Sequence, residues 1–265
     1  MKIPFPTACS MILSSTLVFS ACSITSSGND VVMDKIHKNN EIIIGTSFAQ
    51  APFTVKEANG ETSGIDIEVA QRIASGMGVN LTFKGMSFNK LLGALQQGEI
   101  DIVLSGMTIT EQRNKNVLFA GPYFRSFQAY ASVSGDFPDD APLQDVITAN
   151  TRVGVLQGST HELALLSLPE QPQIVYGTSY KKLFEKLSQN EIDLMVGEYV
   201  GIASVDTEIN ATIVKNSSYE PIGAAIRTGN YHLLNWLDKF FSKLVNNNET
   251  DKIFSDWLDK HGWEE

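Results

Sequence analysis

The chain has 265 residues, 43% of them hydrophobic, with 30 acidic side chains against 20 basic ones and a formal net charge of −10. That acidity excludes nucleic acid as a partner, since a polyphosphate needs a basic face, and it excludes adhesion to an anionic membrane surface. It leaves a small-molecule ligand open, because the charge of a binding site is local.

The first 21 residues read as a targeting segment. Lys2 supplies a weak positive start, Met11-Ile12-Leu13 and Leu17-Val18-Phe19 a short apolar core, and Ser20-Ala21 the small residues before Cys22. The apolar part is too short to span a bilayer. Phe19-Ser20-Ala21-Cys22 is similar to a lipobox, the site at which a bacterial lipoprotein gains a lipid on its new N-terminal cysteine, with Phe19 standing where Leu is usual. This predicts lipidation of Cys22, a location in the periplasm or cell envelope, and a polar tether with a short helical turn over residues 22–40. Cys9 leaves with the leader, so the mature chain is expected to hold no disulfide, which a large secreted domain can do without. Loss of Lys2 takes the mature net charge to −11.

From residue 41 onward, strand and helix signals alternate. Glu41-Ile42-Ile43-Ile44-Gly45 is a strand, followed by a loop through Pro52-Phe53. Gly64 to Val69 leads into a helix that runs to about Ser75 and ends at Gly76-Met77-Gly78. Val79 to Phe83 is the next strand, Thr151 to Val155 a later one, and Ser159 opens a helix after it. Ile174-Val175-Tyr176 is a strand, and the stretch from Tyr231 is helical, with Leu233, Leu234, Trp236, Leu237, Phe240 and Phe241 on its buried side. Such alternation predicts an α/β fold with two sheets.

One internal similarity organises the chain. Residues 91–106 (LLGALQQGEIDIVLSG) and 183–198 (LFEKLSQNEIDLMVGE) share six identities at an offset of 92. Leu91, Leu95, Gln97, Glu99, Ile100 and Asp101 match Leu183, Leu187, Gln189, Glu191, Ile192 and Asp193. Each copy reads as amphipathic helix, tight turn and buried strand, as in a parallel sheet covered on both faces.

Ligands of open α/β sheets bind beyond the carboxyl ends of the strands. The strand ends here are Thr46 to Gln50, Ser105-Gly106-Met107-Thr108, Leu156 to Thr160 and Gly197-Glu198, all polar and short-chained. Arg113, five residues after Thr108, offers a planar fork suited to a carboxylate. Ser159 with Glu162 reads as a capping box, whose free N–H groups can also face an anion. Glu198 can pair with an ammonium or stand as a solvated strand end. Phe88 can be core or can lie over a ligand. The histidines at 37, 161, 232 and 261 are scattered, and neither a phosphate-binding Gly-x-x-x-x-Gly-Lys loop nor a Ser-His-Asp arrangement is found. The expectation is binding rather than catalysis, with no cofactor and no metal.

Over roughly residues 41–265 the chain resembles the polar amino-acid-binding proteins of bacterial ABC importers, solute-binding family 3, of the type II periplasmic-binding fold. The resemblance rests on Gly64-Ile65-Asp66-Ile67-Glu68-Val69, Leu95 to Asp101, Thr108 to Arg113, and Val153 to Thr160. It implies that Arg113 grips a ligand α-carboxylate with help from Thr108 and Thr160. It implies that Ser105, Gly106, Thr108 and Glu198 receive the α-ammonium, and that Phe88 packs on the ligand. Ser47 stands where the family often has Asp, Gln50 where it often has Tyr or Phe, and Glu198 where Asp is usual. These departures weaken the case for Lys, Arg or His as ligand.

The expected organisation is a leader over 1–21, a lipid-anchored tether over 22–40, one lobe from 41–124 with 226–265, and a second from 125–225. The chain would cross between lobes near Phe124–Tyr130 and near Pro221–Ile226, and a monomer would close around a small polar amino acid and dock on a permease with its ATPase. Rival readings are a cyclohexadienyl dehydratase-like enzyme, with Glu198 as acid, and a ligand-sensing subunit for a membrane receptor.

Overall fold

The computed structural model describes residues 31–56, 59–133, 141–204 and 212–261, with side chains described at all of these except 216–218 and 258–261. Cys22 and the targeting segment lie outside the described residues.

The chain opens with helix α1 (Val31–Asn39). Its Val32, Met33 and Ile36 are buried in the main core, and the Val32 N–H donates to the buried Asn230 side chain. Residues 31–39 are therefore part of the folded body, and the expected tether to residue 40 ends earlier. The apolar pattern at 32, 33 and 36 outweighs the polar composition around it.

Strand β1 (Glu41–Thr46) leads into a small three-stranded sheet of β2 (Ala49–Gln50), β3 (Thr54–Lys56) and β4 (Thr62–Ser63). Helix α2 (Ile65–Met77) starts at Gly64, whose φ of 124° and close approach to the Pro52 and Phe53 carbonyls leave no room for a Cβ. Those carbonyls accept the otherwise orphaned N–H groups of Ile65 and Asp66. Strand β5 (Asn80–Gly85), a 3₁₀ turn at Phe88–Lys90, α3 (Leu91–Gln96), β6 (Ile102–Val103) and the short α4 (Glu111–Asn114) follow.

Strand β7 (Val117–Ser132) carries the chain into the second lobe. There come α5 (Leu143–Val146), β8 (Arg152–Leu156), α6 (Thr160–Leu166), β9 (Gln173–Gly177), α7 (Tyr180–Ser188), β10 (Leu194–Glu198) and α8 (Tyr199–Ala203). Strand β11 (Thr212–Arg227) returns, and α9 (Tyr231–Asn246) and α10 (Glu249–His261) finish the described chain.

The sheet order is β5-β1-β6-β11-β7-β10-β8-β9. Strands β5, β1 and β6 are parallel at one end, and β10, β8 and β9 are parallel at the other. Between them β7 and β11 form one antiparallel ribbon through both lobes, irregular between Lys215 and Tyr219 and between Ile222 and Ala224. The two expected crossings are thus two strands of a single ribbon, and each lobe is a mixed sheet. Buried clusters cover both faces of each: around Ile44, Ile73 and Phe241, and around Leu91 and Leu95, in the first lobe. In the second they lie around Leu183 and Met195, and around Val153 and Leu165.

The repeated sequence is a repeated structure. Asp101 exchanges hydrogen bonds with Ile43 of β1, its N–H donating to the Ile43 carbonyl at 2.8 Å and its carboxylate accepting the Ile43 N–H at 2.9 Å. Asp193 does the same with Arg152 of β8, at 2.8 Å in both directions. Ile100 and Ile192 each lie against a glycine of the neighbouring strand, Gly45 and Gly154.

Candidate functional site

The sequence-predicted residues sit at strand ends that the ribbon brings face to face. Ser47 and Ser105 tie the ends of β1 and β6: the Ser105 hydroxyl donates to Ser47 Oγ at 2.9 Å and accepts the Ser47 N–H at 3.0 Å. Gly106 has φ 58°, and a Cβ there would meet the Phe53 ring at 2.7 Å. Its N–H donates to Asp66 at 2.6 Å, and Tyr123 donates its hydroxyl to the other oxygen of that carboxylate at 2.7 Å. Asp66 of the family-like motif therefore anchors the Ser105-Gly106 turn from inside the core. Burial pushes its carboxyl up to about 7, against the pull of those two donors.

Thr110 caps α4 by accepting the Arg113 N–H. This aims the Arg113 guanidinium across the cleft. It donates to the Thr108 carbonyl at 2.6 Å and, in the other lobe, to the Gly158 carbonyl at 3.0 Å, and it lies 5.7 Å from the centre of the Phe88 ring. Burial lowers Arg113 to about 10, and the negative charge of Glu220 works in the opposite direction. Asn89 donates to Gln157 of the facing lobe at 2.8 Å. A cavity of about 650 Å³ lies along this mouth, lined by Ser47 and Phe88 on one side and Gln157 and Tyr176 on the other.

In the second lobe, Ser159 caps α6 by accepting the Glu162 N–H at 3.1 Å. The Glu162 carboxylate reaches back to the Gly158 N–H at 2.6 Å, one residue before the cap. Glu198 is 2% exposed and caps α8, accepting the Val200 and Gly201 N–H groups at 3.1 and 2.8 Å. Its carboxyl is raised well above the usual range, chiefly by burial and further by the charge of Glu220. The structure thus gives Glu198 a helix-capping role that sequence reading did not assign it. Gln50 is buried on β2 near the Tyr180 hydroxyl of the other lobe, and its Oε1 has no hydrogen-bond partner among the described residues.

Four residues of this cluster were missed by sequence reading. Glu220, in β11, is 3% exposed and accepts hydrogen bonds from Thr108 Oγ1 at 3.0 Å, Gln128 Nε2 at 3.1 Å and Thr160 Oγ1 at 2.8 Å. His161 Nε2 stands 3.6 Å away. Burial alone would raise Glu220, but His161 and the three donors hold it below its ordinary value. His161 is itself lowered, by burial above all. Tyr180 is pushed well up by burial and by both carboxylates, which places it with Glu198 and Glu220 in one cluster. An acid inside a strand was the available signal for Glu220, because a buried carboxylate persists only with donors around it.

Residues 42–260 match the family described as bacterial extracellular solute-binding proteins, family 3. The chain belongs to this family. Among curated relatives, an arginine-binding periplasmic protein of Mannheimia haemolytica is 27% identical over 92% of this chain and 96% of its own length. Among solved structures, an ancestral arginine-binding protein bound to arginine is 34% identical, covering 83% of this chain and 98% of its own, with a TM-score of 0.75. An ancestral amino acid-binding protein described as a precursor of cyclohexadienyl dehydratase is 30% identical, with 85% and 98% coverage and a TM-score of 0.77. This family 3 protein has the two-lobed type II periplasmic-binding fold and acts outside the cytoplasm as a solute-binding subunit that delivers its ligand to a permease.

Proposed function

We propose that this solute-binding subunit holds one amino acid between its lobes, the first formed by 41–124 plus 226–265 with α1 packed on it and the second by 125–225. Arg113 carries the reading. It leaves one lobe and reaches the Gly158 carbonyl of the other at 3.0 Å, so a ligand carboxylate on its fork touches both lobes. Phe88 covers the ligand, while Ser47, Gln50, Ser105 and Gly106 line the first-lobe wall. Thr108 contributes from the same lobe, Ser159 and Thr160 from the head of α6, and Glu198 holds the ammonium. Closure by the β7–β11 ribbon presents the closed form to the permease. Cys22, after cleavage, anchors the protein through a lipid and a tether that ends before α1.

The test is a thermal-shift panel of common L-amino acids on protein stripped of ligand by unfolding and refolding. A ligand at a hundred times its dissociation constant adds about 2.7 kcal/mol. A clear shift with one or a few related amino acids supports the reading. Stability unmoved by all of them overturns it. Mass spectrometry of the N-terminal peptide tests the lipid on Cys22.

A further inference from the structure

Glu220 stands in the stretch of β11 between its two irregularities, Lys215/Tyr219 and Ile222/Ala224. The backbone of that stretch is tied to the first lobe. The Ile109 N–H donates to the Pro221 carbonyl at 2.7 Å, and the Gly223 N–H donates to the Met107 carbonyl at 3.0 Å. The Glu220 carboxylate joins both lobes. It accepts from Thr108 Oγ1 of the first lobe at 3.0 Å, and from Gln128 Nε2 at 3.1 Å and Thr160 Oγ1 at 2.8 Å in the second. We propose that Glu220 is a positioning residue for closure, a strut that seats the head of α6 on the first lobe and holds the lobes together before a ligand arrives. This rests on the two-lobed closure proposed above and requires no contact between Glu220 and the ligand.

Other first-lobe groups land on the same few residues. Arg113 donates to the Gly158 carbonyl at 3.0 Å, and Asn89 donates to Gln157 at 2.8 Å. Gly158 has φ 81°, and a Cβ there would stand 2.9 Å from Asn89 Cβ, so the turn before α6 packs directly on the first lobe. Residues 157–160 are thus held at the mouth by Asn89 and Arg113 and at the ribbon by Glu220. These joins run from protein atom to protein atom, so part of the closure belongs to the chain itself. They differ in depth. The Asn89–Gln157 bond is exposed, and water replaces it at little cost. Glu220 is 3% exposed, and its bond from Thr160 joins a charged acceptor, the stronger kind. Opening must draw a donor away from a buried carboxylate, which makes this the costliest of the joins between neutral donors and the facing lobe. A carboxylate matched by three donors has no unmet demand for a ligand to fill, as a strut requires.

The experiment is pulsed electron double resonance on the full chain, stripped of ligand by refolding. Spin labels are placed at the exposed positions of Lys84→Cys and Lys182→Cys, with Cys9→Ser and Cys22→Ser confining the labelling to those two sites. Gly85 and Thr178, close to them in the chain, line opposite sides of the cavity mouth. The labelled parent should show, as its main population, the separation that the structure sets. Thr160→Val keeps the side-chain shape without the hydroxyl and should lower the ratio of closed to open about tenfold, the weight of one hydrogen bond to a charged group. Thr160→Ser keeps the hydroxyl and should stay within about threefold of the parent. Glu220→Ala should open the lobes at least as far as Thr160→Val, and combining the two should open them no further than Glu220→Ala alone, because both remove the same bond. Where Glu220→Ala fails to fold, the Thr160 pair decides. A folded Thr160→Val protein with the parent's distances overturns the inference. So does Thr160→Ser opening as far as Thr160→Val, or a parent found only at longer separations. None of these outcomes needs an amino acid to bind, so a thermal-shift panel without a hit removes the amino-acid reading and leaves the strut to be decided by the distances.

Discussion

The two lobes use one helix-turn-strand unit and bury it to different depths. In the first lobe Asp101 is 2% exposed and pairs with Lys35 of α1 at 2.8 Å. In the second, Asp193 is 40% exposed and pairs with Arg152 at 2.6 Å. The same aspartate makes the same backbone exchange in both. What differs is the solvent around it, so sequence identity fixes geometry here and the surrounding helices fix the energetic weight. The proposed binding residues divide in a matching way: the first lobe sends a long cation, Arg113, across the gap, while the second offers helix starts and a buried acid.

The largest expected effect breaks that cross-lobe reach. Replacing Arg113 with Met removes its fork and leaves a ligand carboxylate buried without its cation. Affinity should fall by a few kcal/mol, on the order of a hundredfold or more, in calorimetric titration with the panel's tightest ligand. An unchanged dissociation constant would remove Arg113 from the site.

Next comes a pH effect confined to the first lobe. Asp66 has a folded pKa of about 7 against an ordinary 3.8. The folded protein keeps this proton through the interval, so the contribution is full below 3.8 and is lost as pH rises through 7. Stability should therefore fall with rising pH at up to about 1.4 kcal/mol per unit over that window. Asp66→Asn stays neutral and should lack that slope in urea melts from pH 4.5 to 8. Glu198 is shifted in the same direction in both proteins, so the difference between the two curves isolates Asp66. Parallel curves would contradict the assignment.

The paired aspartates give the direct comparison. Asp101→Ala strands the Ile43 N–H and the Lys35 ammonium beside a buried turn, and should cost about 2–3 kcal/mol. Asp193→Ala should cost clearly less, because water reaches the Arg152 and Asp193 side chains. Equal losses in denaturant melts would show that burial depth does not separate the copies.

Much of this was legible in the sequence because the signals were local. The strand at Glu41–Thr46, the helix after Gly64, the Ser159 cap and the two aspartate turns each rest on residues a few positions apart. Glu220 was not legible for the opposite reason. Its donors Thr108, Gln128 and Thr160 lie 112, 92 and 60 residues away, and the β7–β11 register that sets Glu220 opposite Ser126 leaves no periodic trace. Gln50 is similar, since its neighbour Tyr180 sits in the other lobe. The first helix was read only as a short helical turn in a tether, because the contacts that bury Val32, Met33 and Ile36 are invisible without the fold.

The smallest effect compares the two caps. Ser159 and Thr110 each accept one N–H at a helix start, so removing either hydroxyl should cost about 1 kcal/mol. Ser159 heads a seven-residue helix and is backed by Glu162 on the Gly158 N–H. Ser159→Ala should thus lower stability while its backbone N–H groups, and so ligand affinity, stay nearly in place. Thr110 heads a four-residue helix, and the N–H it accepts belongs to Arg113 itself. Thr110→Ala frees the residue that spans the cleft, so its affinity loss should exceed that of Ser159→Ala at similar stability cost. Stability from urea melts and affinity from titration separate the two, and equal affinity losses would mean that the cap does not aim Arg113.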